Sequence, residues 1–172
     1  DFDRITVVVG GMPVHFNKNG IIGASAWEDT NHLPPNICPS NALLAHEMVH
    51  IWQFQSGWWF GSRGLHRAVE YMKDYRKCFQ CLYDFGGHEG LQKMFDRAKD
   101  GDPVAADLTV AFGPEQMAEI VEIYYLNFYE LYELGLGSEY LEYGGYDYYY
   151  GDYAPPEYYE ALSYYAEQIV KK

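Results

Sequence analysis

The chain has 172 residues, which fits one domain able to bury a hydrophobic core of its own. Its formal net charge is −13, and the 12 basic residues are scattered along the sequence. Because binding to phosphate needs clustered Lys and Arg, this composition argues against nucleic acid or an anionic membrane surface as a partner. No run approaches the roughly 18 consecutive apolar residues of a membrane span, so we expect no membrane insertion.

The first residues predict a small sheet. Residues 5–9 (ITVVV) and 12–16 (MPVHF) are extended runs, and the Gly-Gly between them is typical of a hairpin. Residues 20–27 (GIIGASAW) predict a third strand, whereas residues 29–40 (DTNHLPPNICPS) contain three prolines and predict a loop. We therefore expect a small N-terminal antiparallel sheet.

Helices are predicted from residue 40 onward. Ser40 has the chemistry of an N-cap, and the pattern that follows predicts a helix over residues 41–56 that Gly57 ends. Pro114 at a first-turn position opens another strong helical pattern. The further predicted helices cover residues 65–83, 88–99 and 114–134.

The C-terminal part, residues 136–172, is rich in tyrosine and ends in a predicted helix at 156–170. We interpret it as a layer that covers the helices, with a recognition surface for substrate or sugar as the alternative. The expected fold class is therefore α+β: a small N-terminal antiparallel sheet, a helical core and a Tyr-rich covering segment. The chain begins at Asp1 without a leader pattern, so we expect residues 1–172 to be one domain, forming the C-terminal part of a longer protein.

The three cysteines are Cys38, Cys78 and Cys81, an odd count. Cys78 and Cys81 form a CxxC pair, but the sequence has no second pair to complete a zinc site. Buried free thiols are favoured over a disulfide between Cys38 and one of the pair.

The most informative motif is His46-Glu47-Met48-Val49-His50, an HExxH pattern on the predicted helix 41–56. Residues four apart lie on nearly the same helical face, so the two imidazoles can reach one ion. The spacing suits the roughly 2.0–2.1 Å that Zn–N bonds require. Two surface histidines that share a helix face are the alternative.

Leu44, Met48 and Ile51 are predicted to project from the opposite side of this helix. The helix would then have an apolar back for the core and a polar front for the metal. Zinc with three protein ligands keeps a position open for water and lowers the pKa of that water toward about 7. Glu47 is predicted to act as the general base that takes a proton from this water and passes it to the leaving amine.

A third zinc ligand has to come from elsewhere. A metzincin would have Gly at position 53 and His at position 56, but the chain has Gln53 and Ser56, which excludes that class. Residues 115–119 (EQMAE), at the start of the predicted helix 114–134, have the E-x-x-x-E form. We favour Glu115 as the ligand and Glu119 as the carboxylate that orients a ligand histidine through a hydrogen bond.

Other assignments stay open. The two glutamates share one helical face, so their roles could be exchanged, and Glu122 is a further candidate ligand. An acidic first turn that merely favours the helix dipole is the non-metal alternative. Residues 144–151 (GGYDYYYG) resemble the G-T-x-D-x-x-Y-G signature of aspzincins without its Thr, which would make Asp147 the third ligand.

The pairing of LLAHEMVHIWQFQSG with PEQMAEIVEIYY resembles the zincin-type domains of bacterial polymorphic toxins and type VI secretion spike effectors. The resemblance implies a gluzincin-like zinc metallopeptidase that is secreted or delivered into a competitor or host cell, with the periplasm as a place of action. It implies a protein or peptide substrate and leaves an immunity protein as a candidate partner. The Tyr-rich tail departs from the family pattern.

Two further expectations follow from the resemblance. Residues 20–27 would form the edge strand that pairs with extended substrate. An oxyanion-stabilising His or Tyr is expected, with His66, His88, Tyr124 and the tail tyrosines as candidates. The alternative function is a non-catalytic zincin-like module for binding or assembly. The presence of Glu47 favours the enzyme, because a pure scaffold has no need of a general base.

Overall fold

The computed structural model describes residues 6–9, 25–27, 30–33, 40–58, 82–130, 142–147 and 150–170. The strand predicted at 12–16, most of the helix predicted at 65–83, the three cysteines and His66 lie outside the described residues.

Three short N-terminal strands form one sheet: β1 (Thr6–Val9), β2 (Ser25–Trp27) and β3 (Thr30–Leu33). The strand order is β1-β3-β2, in which β3 pairs parallel with β1 and antiparallel with β2. Both β2 and β3 lie against the helix that carries the HExxH motif. Strand β2 is thus an edge strand beside that helix.

The expected α+β fold with an antiparallel sheet is wrong. Helices account for most of the described residues, and the N-terminal sheet is small and mixed. The error lies at β3, because the prolines that follow it predict a loop over residues 29–40. All three prolines come after Leu33 in the sequence, so none lies within β3. With β3 in the centre, β1 has a parallel partner.

Six helices make up the rest of the described core: α1 (Asn41–Gln55), α2 (Gly87–Lys99), α3 (Pro103–Ala106), α4 (Leu108–Ala111), α5 (Pro114–Tyr125) and α6 (Pro156–Val170). A π-helical stretch, Leu126–Glu130, continues α5. Two short antiparallel strands, β4 (Gly145–Asp147) and β5 (Asp152–Ala154), precede α6. No described helix is both long and apolar enough to cross a bilayer.

The predicted start and end of α1 are confirmed. The Ser40 side chain accepts a hydrogen bond of 3.1 Å from the backbone N–H of Leu43, which satisfies one of the free donors at the helix start. After the helix, Gly57 adopts a φ of +72°, a left-handed conformation that glycine takes without a steric penalty.

Helix α5 runs through the middle of the core and packs against α1 on one side and α6 on the other. Met117, Ile120 and Ile123 of α5 are fully buried, and so are Leu91 of α2 and Leu162 of α6. The apolar residues of α5 therefore hold the helix in place, which leaves its other face free to present carboxylates to α1.

The predicted helix at 156–170 is confirmed, and it belongs to the core. Tyr158, Tyr159 and Tyr165 of this helix are fully buried, and the Tyr165 hydroxyl donates a 2.8 Å hydrogen bond to the Ala105 carbonyl. The hairpin before it is different, since Tyr153 is 65 % exposed. The tyrosine-rich segment thus covers the helices through α6 and exposes the Tyr153 ring on β5.

Candidate metal centre

Helices α1 and α5 lie side by side and bring both histidines of the HExxH motif against Glu115. His46 and His50 are one turn apart on α1, so their rings leave the helix in the same direction. Pro114 takes the first position of α5, which places Glu115 in the first turn. The ring centroids of the two histidines are 5.1 Å apart, and the rings meet edge to face.

The Nε2 atoms of both rings converge on one oxygen of Glu115. Oε2 of Glu115 is 3.4 Å from Nε2 of His46 and 3.2 Å from Nε2 of His50. Zinc bonds of about 2.0–2.1 Å in a tetrahedron separate neighbouring ligand atoms by about 3.3 Å. Both distances to Glu115 are thus close to this spacing, and the ligand atoms of the three residues all lie within 4.8 Å of one another. The donor set of two imidazoles and a carboxylate suits zinc.

The opposite ring nitrogen of each histidine has its own partner. Nδ1 of His46 lies 2.9 Å from Oε2 of Glu122, and Nδ1 of His50 lies 3.0 Å from Oε1 of Gln53. Both partners accept a hydrogen bond, so each Nδ1 carries the proton. Such bonds fix the tautomer and direct Nε2 toward the position that a metal would take.

Glu119 was expected to orient a ligand histidine, but Glu122 lies nearer to that ring. Oε2 of Glu119 is 3.8 Å from Nδ1 of His46, beyond hydrogen-bond distance, whereas Glu122 makes the bond. Burial, together with the charge of Glu122, raises the pKa of Glu119 to about 7. Glu119 therefore stands behind His46 as a buried carboxyl that is largely neutral below that pH.

His46, Glu119 and Glu122 form a second group whose donor atoms lie close together. A metal there would bind Nδ1 of His46, whereas the first group uses Nε2. One imidazole can serve both groups only if it loses both protons. The 2.9 Å hydrogen bond from His46 to Glu122 explains the second group without a metal, so the first group is the better candidate.

Glu47 occupies an unusual position beside the two histidines. Its side chain is buried, and Oε2 has no hydrogen-bond partner in the described part of the chain. Burial raises the pKa of Glu47, while the charges of His50 and His46 lower it in part. An unpaired buried carboxylate oxygen costs free energy, which is consistent with a position kept open for a water molecule or a substrate group.

The pKa values of His46, His50 and Glu115 depend strongly on one another. Burial lowers the pKa of His46, but hydrogen bonds and charges from Glu115 and Glu122 outweigh it and raise the pKa to about 10. The pKa of His50 is raised in the same way by Glu115 against the effect of burial. Burial would raise the pKa of Glu115, but the two imidazoles hold it well below its usual range. The three side chains therefore stabilise one another through the charges of the protonated rings and the carboxylate.

The side of α1 that was predicted to face a metal is buried. His46, Glu47 and Gln53 are buried, as is Ile51 on the opposite side, because the carboxylate-bearing face of α5 covers the motif. Leu44 and Met48, predicted to form an apolar back, are only half buried. The charged groups of α1 are thus desolvated and paired across a helix interface, where their interactions are stronger than at the surface.

Three residues proposed from the sequence lie elsewhere. Asp147 is fully buried, and its Oδ2 is 3.1 Å from Nε2 of His88, so these two candidates pair with each other. Asp147 belongs to neither of the groups of metal-binding side chains found among the described residues. Tyr124 is buried in an aromatic cluster, with its ring centroid 4.8 Å from that of Phe128.

Gln53 and the hydrogen bond of Glu122 were missed from the sequence. In the sequence, Gln53 stands out only as the position where a metzincin would have glycine. Its position three residues after His50 puts it on the same helical face, a spacing that could have indicated the hydrogen bond. Glu122 follows Glu119 by three residues, so the choice between them depended on how α5 is rotated against α1.

Comparisons of the chain with protein-family models, with curated proteins and with solved structures found no match.

Proposed function

We propose that this chain is a zinc-dependent metallopeptidase in which His46, His50 and Glu115 bind the metal and Glu47 is the general base. The observation that carries the proposal is the convergence of two Nε2 atoms on Oε2 of Glu115 at 3.4 and 3.2 Å. Oε2 of Glu47, which has no hydrogen-bond partner among the described residues, supports the catalytic part of the proposal.

A zinc ion in this site would supply positive charge that polarises a carbonyl oxygen and lowers the pKa of a nearby water. Glu47 accepts a proton from the water while the water oxygen forms a bond to the carbonyl carbon of the peptide. The same carboxyl then gives the proton to the amide nitrogen as the C–N bond breaks, which releases an amine and a carboxylate. Glu122 and Gln53 hold the imidazoles in the required tautomer throughout.

The proposed setting is a toxin domain that is delivered into a target cell and acts on a protein or peptide there. This part rests on the resemblance of the two motifs to zincin-type domains of bacterial toxins and type VI secretion effectors. It is tested by expressing the chain in bacteria with and without export to the periplasm. Growth arrest that needs Glu47 supports the setting, while growth unaffected in both compartments contradicts it.

The enzymatic part is tested with purified protein and the Glu47→Gln variant, with zinc content measured on both. The matched control is Glu89→Gln, the same change at an exposed position on α2. We expect the parent and Glu89→Gln to cleave members of a broad peptide library. Zinc-loaded Glu47→Gln should leave the library intact. A parent that binds zinc but cleaves nothing would favour the non-catalytic binding module.

A further inference from the structure

Gln53 links the two helices that carry the candidate ligands. Its side chain is fully buried, and Nε2 donates a 2.9 Å hydrogen bond to the backbone carbonyl of Pro114. At the other end of the amide, Oε1 lies 3.0 Å from Nδ1 of His50. One amide therefore joins a candidate ligand of α1 to the residue that precedes Glu115 on α5.

The chemistry of these groups allows only one orientation of the amide. The Pro114 carbonyl can only accept a hydrogen bond, so the NH₂ group of Gln53 must face it. The amide oxygen must then face His50, and it can only accept, so Nδ1 of His50 must carry a proton. In the neutral ring the remaining lone pair is on Nε2, which points at Glu115.

We propose that Gln53 is a positioning residue that couples the tautomer of His50 to the start of α5. This inference rests on the proposed zinc site and deepens it. A metal needs both the lone pair of His50 and the carboxylate of Glu115. The Gln53 side chain orients the His50 ring and also holds the Pro114 backbone, next to Glu115. The Nδ1 partner of His46 is also on α5, but it is the side chain of Glu122, two turns beyond Glu115, and not the backbone beside Glu115.

A purely structural role makes a different prediction. A buried amide that only ties two helices together would affect stability but not the hydrogen on Nδ1 of His50. Gln53→Met removes both hydrogen bonds at nearly constant volume. Gln53→Glu keeps an acceptor for His50 but loses the donor to Pro114, so it separates the two bonds. Gln55→Met, an exposed site on the same helix, is the matched control.

The experiment measures zinc affinity by chelator competition and follows the imidazole N–H groups of the whole chain by ¹⁵N NMR. For Gln53→Met we expect zinc binding weaker by about 10–100-fold and rapid solvent exchange of the His50 Nδ1 hydrogen. Gln53→Glu should retain that protected hydrogen while melting at a lower temperature. Gln55→Met should match the parent in both measurements.

The outcomes separate this inference from the proposed function. If the parent binds zinc and Gln53→Met keeps both its affinity and the protected hydrogen, the positioning role is wrong and the zinc site stands. If the parent binds no zinc, the proposed function fails, and the metal-free spectra decide on Gln53. If the His50 Nδ1 hydrogen is protected from exchange in the parent but not in Gln53→Met, the coupling is still supported. If that hydrogen is not protected in the parent, the coupling is wrong. If Gln53→Met does not fold, loss of the protected hydrogen in Gln53→Glu overturns the inference.

Discussion

Nε2 of His50 lies 3.2 Å from Oε2 of Glu115, a contact between the first turn of α5 and the last two turns of α1. Glu115 raises the pKa of His50 against the effect of burial, so this contact favours the protonated ring in the metal-free protein. The same two atoms are the proposed zinc ligands. On the proposed function, a zinc ion would replace a proton between these two atoms.

The three carboxylates of α5 should contribute unequally to zinc affinity. Glu115→Ala removes a proposed ligand and should abolish most of the binding, whereas Glu122→Ala removes only the hydrogen bond to His46 and should cost about 10–100-fold. Glu119→Ala should cost less than either, since Glu119 makes no hydrogen bond to the ring. Chelator competition gives the ranking, and a larger loss from Glu119 than from Glu115 would reverse the assignment.

Zinc affinity should rise with pH. The pKa of His46 is about 10 in the metal-free protein, so below that pH zinc must displace a proton from the ring. The dissociation constant should therefore fall by about tenfold per pH unit for each proton released, between about pH 6 and 9. Calorimetry in two buffers of different ionisation enthalpy counts the protons. An affinity that does not change with pH would mean that the imidazoles are not the ligands.

Replacing Glu47 should separate catalysis from folding. Glu47→Gln keeps the shape of the side chain but removes its basicity, so we expect hydrolysis to fall by about 10²–10⁴-fold with zinc binding retained. Burial raises the pKa of Glu47 above its value in the unfolded chain. As the pH rises above that unfolded pKa, ionisation of this carboxyl lowers the free energy of unfolding. Metal-free Glu47→Gln should thus melt at a higher temperature than the parent at neutral pH, and the gain should vanish at acid pH.

The tyrosine-rich tail should prove to be part of the core. Leu162 on α6 is fully buried, and Leu162→Ala should cost about 2–5 kcal/mol in the free energy of unfolding. Val170→Ala, at an exposed position near the end of the same helix, should have little effect. Chemical denaturation checks both values. A tail that is only a recognition surface would tolerate the Leu162 change.

Local chemistry made much of this site predictable from the sequence. The HExxH spacing and the N-cap at Ser40 define α1 without reference to any other part of the chain, and Pro114 defines the start of α5. These signals were enough to nominate His46, His50 and Glu115. Which carboxylate reaches which ring nitrogen depends on the rotation of α5 against α1, and the packing of Met117 and its neighbours determines that rotation.

The sheet was harder to predict for a related reason. Strand β3 has the sequence TNHL, which carries little β-propensity, and its pairing with β1 and β2 defines it. Tertiary context likewise decided the role of the tail, because the same tyrosine composition gives fully buried Tyr158 and largely exposed Tyr153. Composition alone could not separate these two environments.

The most direct test of the central claim is elemental analysis of the purified chain after expression with ample zinc, on the parent and on His50→Ala. The account predicts about one tightly bound zinc per chain in the parent and a large loss of zinc in His50→Ala, since the variant lacks one of three protein ligands. A parent without a stoichiometric transition metal, or a His50→Ala variant that retains the full amount, would contradict it.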